Sequence, residues 1–403
     1  MNQGSNTPVR VLFVNTRSAL GADVAVHITL MKRLGAAGCE VHLATNRRSA
    51  DHAKLIAQVR GIEGLRIIEL NLGYELSGRS RAGRLRGAAA NLCVMAGALA
   101  QLAGYVRSRR IDVIHSTDRP RDALLSTLLA RFTGRRNVLH LHIKWDAHMG
   151  RATTWAVRKS DGILAISEFV RGSLIDAGVP ADRIYSALNA TDAREFDPTL
   201  VKPGRLRSAL CIGRDVPLVG IIARVMVWKG QRDLVEAFAR VRDAVPDAML
   251  AIIGNEDTMM GGDSYGDEVR RRIAELGLED SVRWAGWVDD MPSAFADMDV
   301  VCVPSWEEPF GLVVTEAMAM RRPVVGYRSG ALPEIVDEGL EGLLVPPRDM
   351  DALAAAIIGL LCDPERREAM GRRGRERVLR QFTPARQAEE VASIYRALCG
   401  KQA

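Results

Sequence analysis

Two glutamates eight positions apart, Glu308 and Glu316, stand in the segment PSWEEPFGLVVTEAMAM (Pro304–Met320). Glu308 falls on the loop after an apolar run. Glu316 falls about one turn into a helix that Pro309 fits as a starting residue. One carboxylate can accept hydrogen bonds from sugar hydroxyls while the other accepts them from a ribose. The amides of Phe310, Gly311 and Leu312 at the helix start can face the same ligand. A helix cap for Glu308 and a solvated face for Glu316 are the plainer readings. Glu316 sits among Val, Thr, Ala and Met, however, where an unpaired carboxylate is costly.

A second constellation is cationic. In IIARVMVWKGQRDLVEAF (Ile221–Phe238), Arg224 closes a strand and Lys229-Gly230 precede a helix. Two cations five residues apart at one strand end can neutralise a diphosphate and stabilise it as a leaving group, or stand as solvated surface charges. In NTRSALGAD (Asn15–Asp23), Gly21 lets the backbone approach a ligand at a helix N-terminus; an ordinary strand-to-helix turn is the alternative. His140 and His142 alternate in NVLHLHI and so share one face of a strand. With His148 and Asp146 nearby they raise a metal site, which no second His or Cys cluster in the sequence supports. The reading is therefore no metal, one imidazole at the strand end contacting substrate and the other packing or hydrogen-bonding locally.

Short β-branched runs alternating with helical patterns are the elements that must position these residues, and they predict α/β units around parallel sheets. The runs are Val9–Asn15, Glu40–Thr45, Leu65–Leu70, Ile111–Ser116, Asn137–Ile143, Gly162–Ser167 and Arg183–Leu188. After a junction within Asn189–Val216 the pattern restarts at Pro217–Arg224. It continues through Ala248–Gly254, Ser281–Gly286, Asp299–Ser305, Pro323–Arg328 and Gly342–Pro347. The expected domains are residues 1–195 and 205–383, with 384–403 free to pack on either.

A chain of 403 residues is long for one core, which agrees with two domains. Apolar residues at 47% and charged residues at 26% exclude wholesale disorder. The net charge of +6 favours anionic partners, but 5% aromatics without basic–aromatic interleaving argue against nucleic acid. Six scattered cysteines without a CxxC pair read as reduced packing residues of a cytoplasmic protein. The N-terminus has no apolar core of a secretory signal. The Ala/Gly-rich stretch Ala88–Tyr105 reads as a helix packed on a sheet rather than a membrane span. Residues 79–110 carry seven Arg and no acidic residue, which reads either as a solvated basic face or as a contact with anionic lipid or acceptor.

Taken together these residues resemble glycosyltransferase family four, retaining enzymes of GT-B fold, over nearly the whole chain. Glu308 and Glu316 match the family's paired-glutamate motif, and Arg224 and Lys229 its diphosphate-binding cations, with Ala223 in place of a usual Gly. LGAD (Leu20–Asp23) is similar to the N-terminal glycine-rich turn, with Leu20 replacing its first Gly. His142 matches the histidine near the donor sugar, and the backbone at Val288, after Gly286-Trp287, the contact to the nucleobase. NATD (Asn189–Asp192) stands where the family often has Asn-Gly-x-Asp.

The resemblance implies two Rossmann-like domains facing across a cleft, an N-terminal one for the acceptor and a C-terminal one for the donor. The last helix would cross back to the N-terminal domain. It also implies a sugar transferred with retention from a nucleotide diphosphate sugar to a hydroxyl acceptor (glycan, glycolipid or small molecule), with no cofactor and no metal. Glu308 would hold the sugar hydroxyls with His142 near the anomeric centre, and Glu316 the ribose. A nucleotide-sugar epimerase of the same architecture and a non-catalytic nucleotide-sugar-binding subunit are the alternatives. A cytoplasmic protein, peripheral on the inner face of the membrane through its basic stretch, completes the expectation.

Overall fold

The computed structural model describes residues 7–16, 21–73, 81–146, 149–256 and 264–401, and for residues 81–92 the backbone alone. Every apolar run named above forms a strand within a few residues of its expected bounds. The chain divides into two units, residues 1–189 with 384–403 and residues 190–383.

The first unit is built on β1 (Val9–Asn15), β2 (Cys39–Asn46), β3 (Arg66–Leu70), β4 (Val113–Thr117), β5 (Arg136–Leu141), β6 (Gly162–Ala165) and β7 (Ile184–Ser186). They pair in parallel in the order β3-β2-β1-β4-β5-β6-β7. Alternation along β1 decides which helix covers which face. Val9, Val11 and Phe13 pack with Ile28 and Met31 of the helix Ala22–Leu34 and with Val391 and Tyr395 of the last helix, Pro384–Leu398. Leu12 and Val14 face the opposite way, onto Leu102 and Val106 of Arg81–Ser108 and Leu125 and Leu129 of Pro120–Thr133. No described helix is long and apolar enough to cross a membrane.

The second unit holds β8 (Leu218–Ile222), β9 (Met249–Ile253), β10 (Val282–Gly286), β11 (Val300–Val303), β12 (Val324–Tyr327) and β13 (Gly342–Val345). Their order is β10-β9-β8-β11-β12-β13, again parallel. Its strands are near-continuous Val, Ile and Leu because helices cover both faces. The expected first domain runs to residue 195, yet 190–195 belong to the second unit. The Thr191 amide donates to the Phe382 carbonyl at 2.9 Å, and the Thr191 and Thr315 hydroxyls meet at 2.7 Å. All six cysteines are free, with Cys39 and Cys302 buried.

Candidate functional site

Each sheet reverses its strand order beside its first strand, between β1 and β4 and between β8 and β11. Connections leave such a point to opposite faces, so a crevice opens at the carboxyl ends of the strands. Gly21, Arg224, Lys229 and Glu308 lie at these two places, with His142 one strand beyond β4 and Val288 two strands beyond β8.

In the second unit, Arg224 follows β8 and is exposed, and its carbonyl accepts from Gln231 Nε2 at 2.9 Å. Val227–Lys229 make one tight turn, after which Gly230 (φ 73°) caps the helix Gln231–Ala244. The backbone of Gly230 abuts the Pro304 carbonyl at the end of β11, where a Cβ would overlap it. That contact brings Lys229 to Glu308, 79 positions on, with Nζ 2.6 Å from Oε2. The ammonium also lies 4.1 Å from the centre of the Trp228 ring. Glu308 is buried, so its charge needs this partner. Its carbonyl accepts from the Ala331 amide at 2.8 Å, and Gly330 (φ 56°) packs so tightly on its backbone that no side chain fits there.

The helix carrying Glu316 runs Leu312–Ala319 and is capped by Gly311 (φ 96°), so it starts three residues after Pro309, which stays in the loop. Phe310 is core, edge-on to Phe382 at 6.0 Å, which leaves only its backbone for a ligand. The amides of Leu312 and Val313 have no intrahelical acceptor. Glu316 is half-buried; desolvation, with Glu195 adding repulsion, pushes its carboxyl up to about 7. Val288 is half-buried just past β10, beside the exposed Trp287, whose indole N–H donates to Asp289 at 2.7 Å.

In the first unit, Gly21 is the extended cap residue of Ala22–Leu34, and residues 17–20, Leu20 among them, lie outside the described residues. The buried Asp122 accepts from the Thr16 amide at 2.8 Å and the Thr117 hydroxyl at 3.2 Å, tying the end of β1 to β4; burial lifts its carboxyl to about 6. β5 stops at Leu141, and the His142 amide donates to Asp118 at 3.2 Å, whose carboxyl burial also raises to about 6. His140 and His142 do share a face, with ring centres 4.3 Å apart.

They are not alone there. His27 approaches both rings, at 5.3 and 5.4 Å, and His115 of β4 lies 5.4 Å from His140. His115 Nε2 meets His27 Nε2 at 3.2 Å, and its Nδ1 meets the Tyr395 hydroxyl at 2.5 Å. Burial lowers His27 to about 4 and the other three well below the usual imidazole value, so all four rings are neutral at pH 7. Both ring nitrogens of His140 and Nε2 of His142 are buried without a hydrogen-bond partner. Of the two roles expected for the second imidazole, packing or local hydrogen bonding, His140 packs against the neighbouring rings and makes no hydrogen bond. Nitrogens of His27, His140 and His142 lie within 4.8 Å of one another and could hold a metal ion.

The chain matches the family Glycosyl transferases group 1 over residues 206–377 and Glycosyltransferase Family 4 over residues 24–195. It is 31% identical over 269 residues to a GDP-mannose-dependent α-(1-6)-phosphatidylinositol monomannoside mannosyltransferase of Mycolicibacterium smegmatis, covering 63% of this chain and 68% of that one. The chain belongs to glycosyltransferase family 4. It is a glycosyltransferase of GT-B fold. It is also 35% identical over 214 residues to D-inositol 3-phosphate glycosyltransferase of Corynebacterium glutamicum, covering 49% of each. The matched stretch thus spans between half and about two thirds of these relatives' length. The crystal structure of Anabaena HepE in complex with UDP superposes over 96% of this chain and 100% of that one, with a TM-score of 0.77 at 21% identity.

Within this glycosyltransferase the fold brings Lys229 and Glu308 together, places Arg224 beside them in sequence at the end of β8, and leaves Val288 two strands away past β10. Sequence reasoning missed His27, His115 and Tyr395, and the carboxylates Asp118 and Asp122 that hold the loops of the first unit. HST at the end of β4 carried a signal of its own, a histidine one strand from NVLHLHI, but the adjacency of β4 and β5 was needed to use it.

Proposed function

We propose that this glycosyltransferase moves a hexose from a nucleotide diphosphate sugar to a hydroxyl acceptor with retention at the anomeric carbon, and without a metal ion at the diphosphate. The observation that carries this reading is the Lys229–Glu308 pair at the β8/β11 reversal, with Arg224 at the end of the same strand. Arg224 and Lys229 take the charge that develops on the diphosphate as the C–O bond to it breaks. Glu308 accepts from sugar hydroxyls while the Lys229 ammonium stays at its Oε2. The amides of Phe310, Gly311 and Leu312 meet the donor sugar, Glu316 the ribose, and the Val288 backbone the base. The first unit contributes Gly21 to the diphosphate and His142 to the sugar, as the family resemblance implies. The acceptor oxygen bonds to the face the leaving group vacates, and its proton passes to the departing phosphate.

One relative is named for GDP-mannose and the HepE crystal holds UDP, so GDP-mannose and UDP-hexoses are the donors to try first. We also read the acceptor as a molecule reached at an anionic membrane, the protein binding its cytoplasmic face through the basic stretch 79–110. Arg79 and the side chains of Arg81, Arg84 and Arg86 lie outside the described residues, while Arg107 donates to the Phe132 carbonyl at 2.9 Å.

The test is release of nucleoside diphosphate from these donors by the purified protein in EDTA. The reading expects turnover with at least one donor and unchanged rates when Mg²⁺ is added. Activity lost on chelation and restored by Mg²⁺ or Mn²⁺, or an epimerised donor without nucleotide release, would overturn it.

A further inference from the structure

We propose that His27, His140 and His142 form a binding site for a borderline transition-metal ion, Zn²⁺ in the first instance, with a fourth position open toward His142. Three imidazoles from the helix Ala22–Leu34, from β5 and from the residue after it place one nitrogen each within 4.8 Å of the others. Tetrahedral zinc at about 2.0–2.1 Å from each nitrogen sets them roughly 3.3 Å apart, so the His140 and His142 rings must close on the ion toward His27. Three nitrogen ligands with no carboxylate among them suit zinc and its neighbours rather than Mg²⁺ or Ca²⁺.

The second observation is what the rings lack. A neutral imidazole has one donor and one acceptor nitrogen, and a buried one finds partners for both. His140 is wholly buried with neither nitrogen partnered, and His142 Nε2 is buried without a partner. Apolar packing alone does not account for this, since an unpartnered ring nitrogen in the core is costly where Phe or Leu would not be. A metal ion takes one lone pair from His140 and the Nε2 lone pair of His142 at once, leaving the other His140 nitrogen as its N–H.

The surroundings have the form of a support for such a site. His115 binds His27 through Nε2 at 3.2 Å and the Tyr395 hydroxyl through Nδ1 at 2.5 Å, which fixes the His27 ring. Asp118 holds the His142 backbone at 3.2 Å. His27 and His140 are buried whereas His142 is half-buried, so an ion enters and a water or ligand binds on the His142 side.

The same His142 ring is assigned above to the donor sugar, so bound zinc competes with donor. That consequence rests on the proposed function, while zinc binding itself does not.

The experiment is titration of the metal-stripped full chain with Co²⁺ and then Zn²⁺, without donor. The proposal expects one equivalent of Co²⁺ with the intense visible bands of four-coordinate cobalt, displacement by one equivalent of Zn²⁺, and a zinc-dependent rise in melting temperature. His140→Gln and His27→Gln should each weaken binding by at least about a hundredfold. His52→Gln, at a surface pair with Glu69, should not. If His140→Gln does not fold, the wild-type cobalt spectrum and His142→Gln decide. No four-coordinate spectrum from the wild type, or binding that survives these substitutions, would overturn the site. Donor turnover intact in a protein that binds no zinc would refute the metal site and leave the transferase reading standing.

Discussion

With Glu316 at the donor ribose as proposed, donor binding depends on pH in a direction set by its raised carboxyl. Its carboxyl is desolvated by its apolar helix neighbours and repelled by Glu195, which lifts it to about 7 in the free protein. Ribose hydroxyls can both donate only to the ionised form, so binding releases the proton that the free protein holds below pH 7. The apparent Kd then scales as one plus the ratio of protonated to ionised carboxyl. That factor is about 11 at pH 6 and about 1.1 at pH 8, a tenfold gain in affinity or about 1.4 kcal/mol across the interval. Calorimetric titration with an intact nucleotide sugar measures it; a free nucleoside diphosphate is unsuitable because its terminal phosphate titrates in the same range. Glu316→Gln should weaken binding at pH 8 and flatten the profile. Equal wild-type affinity at pH 6 and 8, or a slope that persists in Glu316→Gln, would refute the assignment. The same raised carboxyl stabilises the unliganded fold fully below about pH 4.5 and loses that contribution as pH rises through about 7, so Glu316→Gln should melt higher than wild type at pH 8.

Arg224→Ala and Lys229→Ala should each lower kcat/KM by about 2–4 kcal/mol, read from initial rates of nucleotide release; wild-type values in both would remove them from the diphosphate. Gly330→Ala places a Cβ into the Glu308 backbone at a positive φ, so it should lower both kcat and the melting temperature although Ala touches no substrate. Glu308→Gln should lower kcat by weakening the hydroxyl contacts and leave Lys229 without its counter-charge. Replacing Arg79, Arg81, Arg84 and Arg86 by Ser should weaken binding to anionic vesicles at roughly 1 kcal/mol per charge, measured by co-sedimentation at low salt; a wild type that ignores such vesicles contradicts the membrane reading.

The strands were legible because parallel strands covered on both faces are near-continuous runs of β-branched residues, as in VVCV (Val300–Val303). The helix start at Leu312 was not, since Pro309 marks a permissible first turn while the positive φ of Gly311 fixes the actual one. The Lys229–Glu308 pair was foreseeable only as two halves. It exists because β11 returns beside β8 after a crossover, and sequence spacing does not encode that adjacency. The histidines divide the same way. The period of a strand pairs His140 with His142, whereas His115 reaches them because β4 lies beside β5, and His27 because the helix Ala22–Leu34 covers that face of the sheet. For that reason the absence of a nearby second cluster in the sequence was a poor guide to what the fold assembles.

The stereochemistry of transfer tests the central claim most directly. Glu308 is paired with Lys229, and in the proposed site it holds the sugar hydroxyls, which leaves no base behind the anomeric carbon of the kind an inverting mechanism requires. Proton NMR of the glycoside formed from an α-linked nucleotide sugar, in the presence of EDTA, reads the anomeric coupling of the product. The account predicts an α-linked product formed without added metal, and a β-linked product would contradict it.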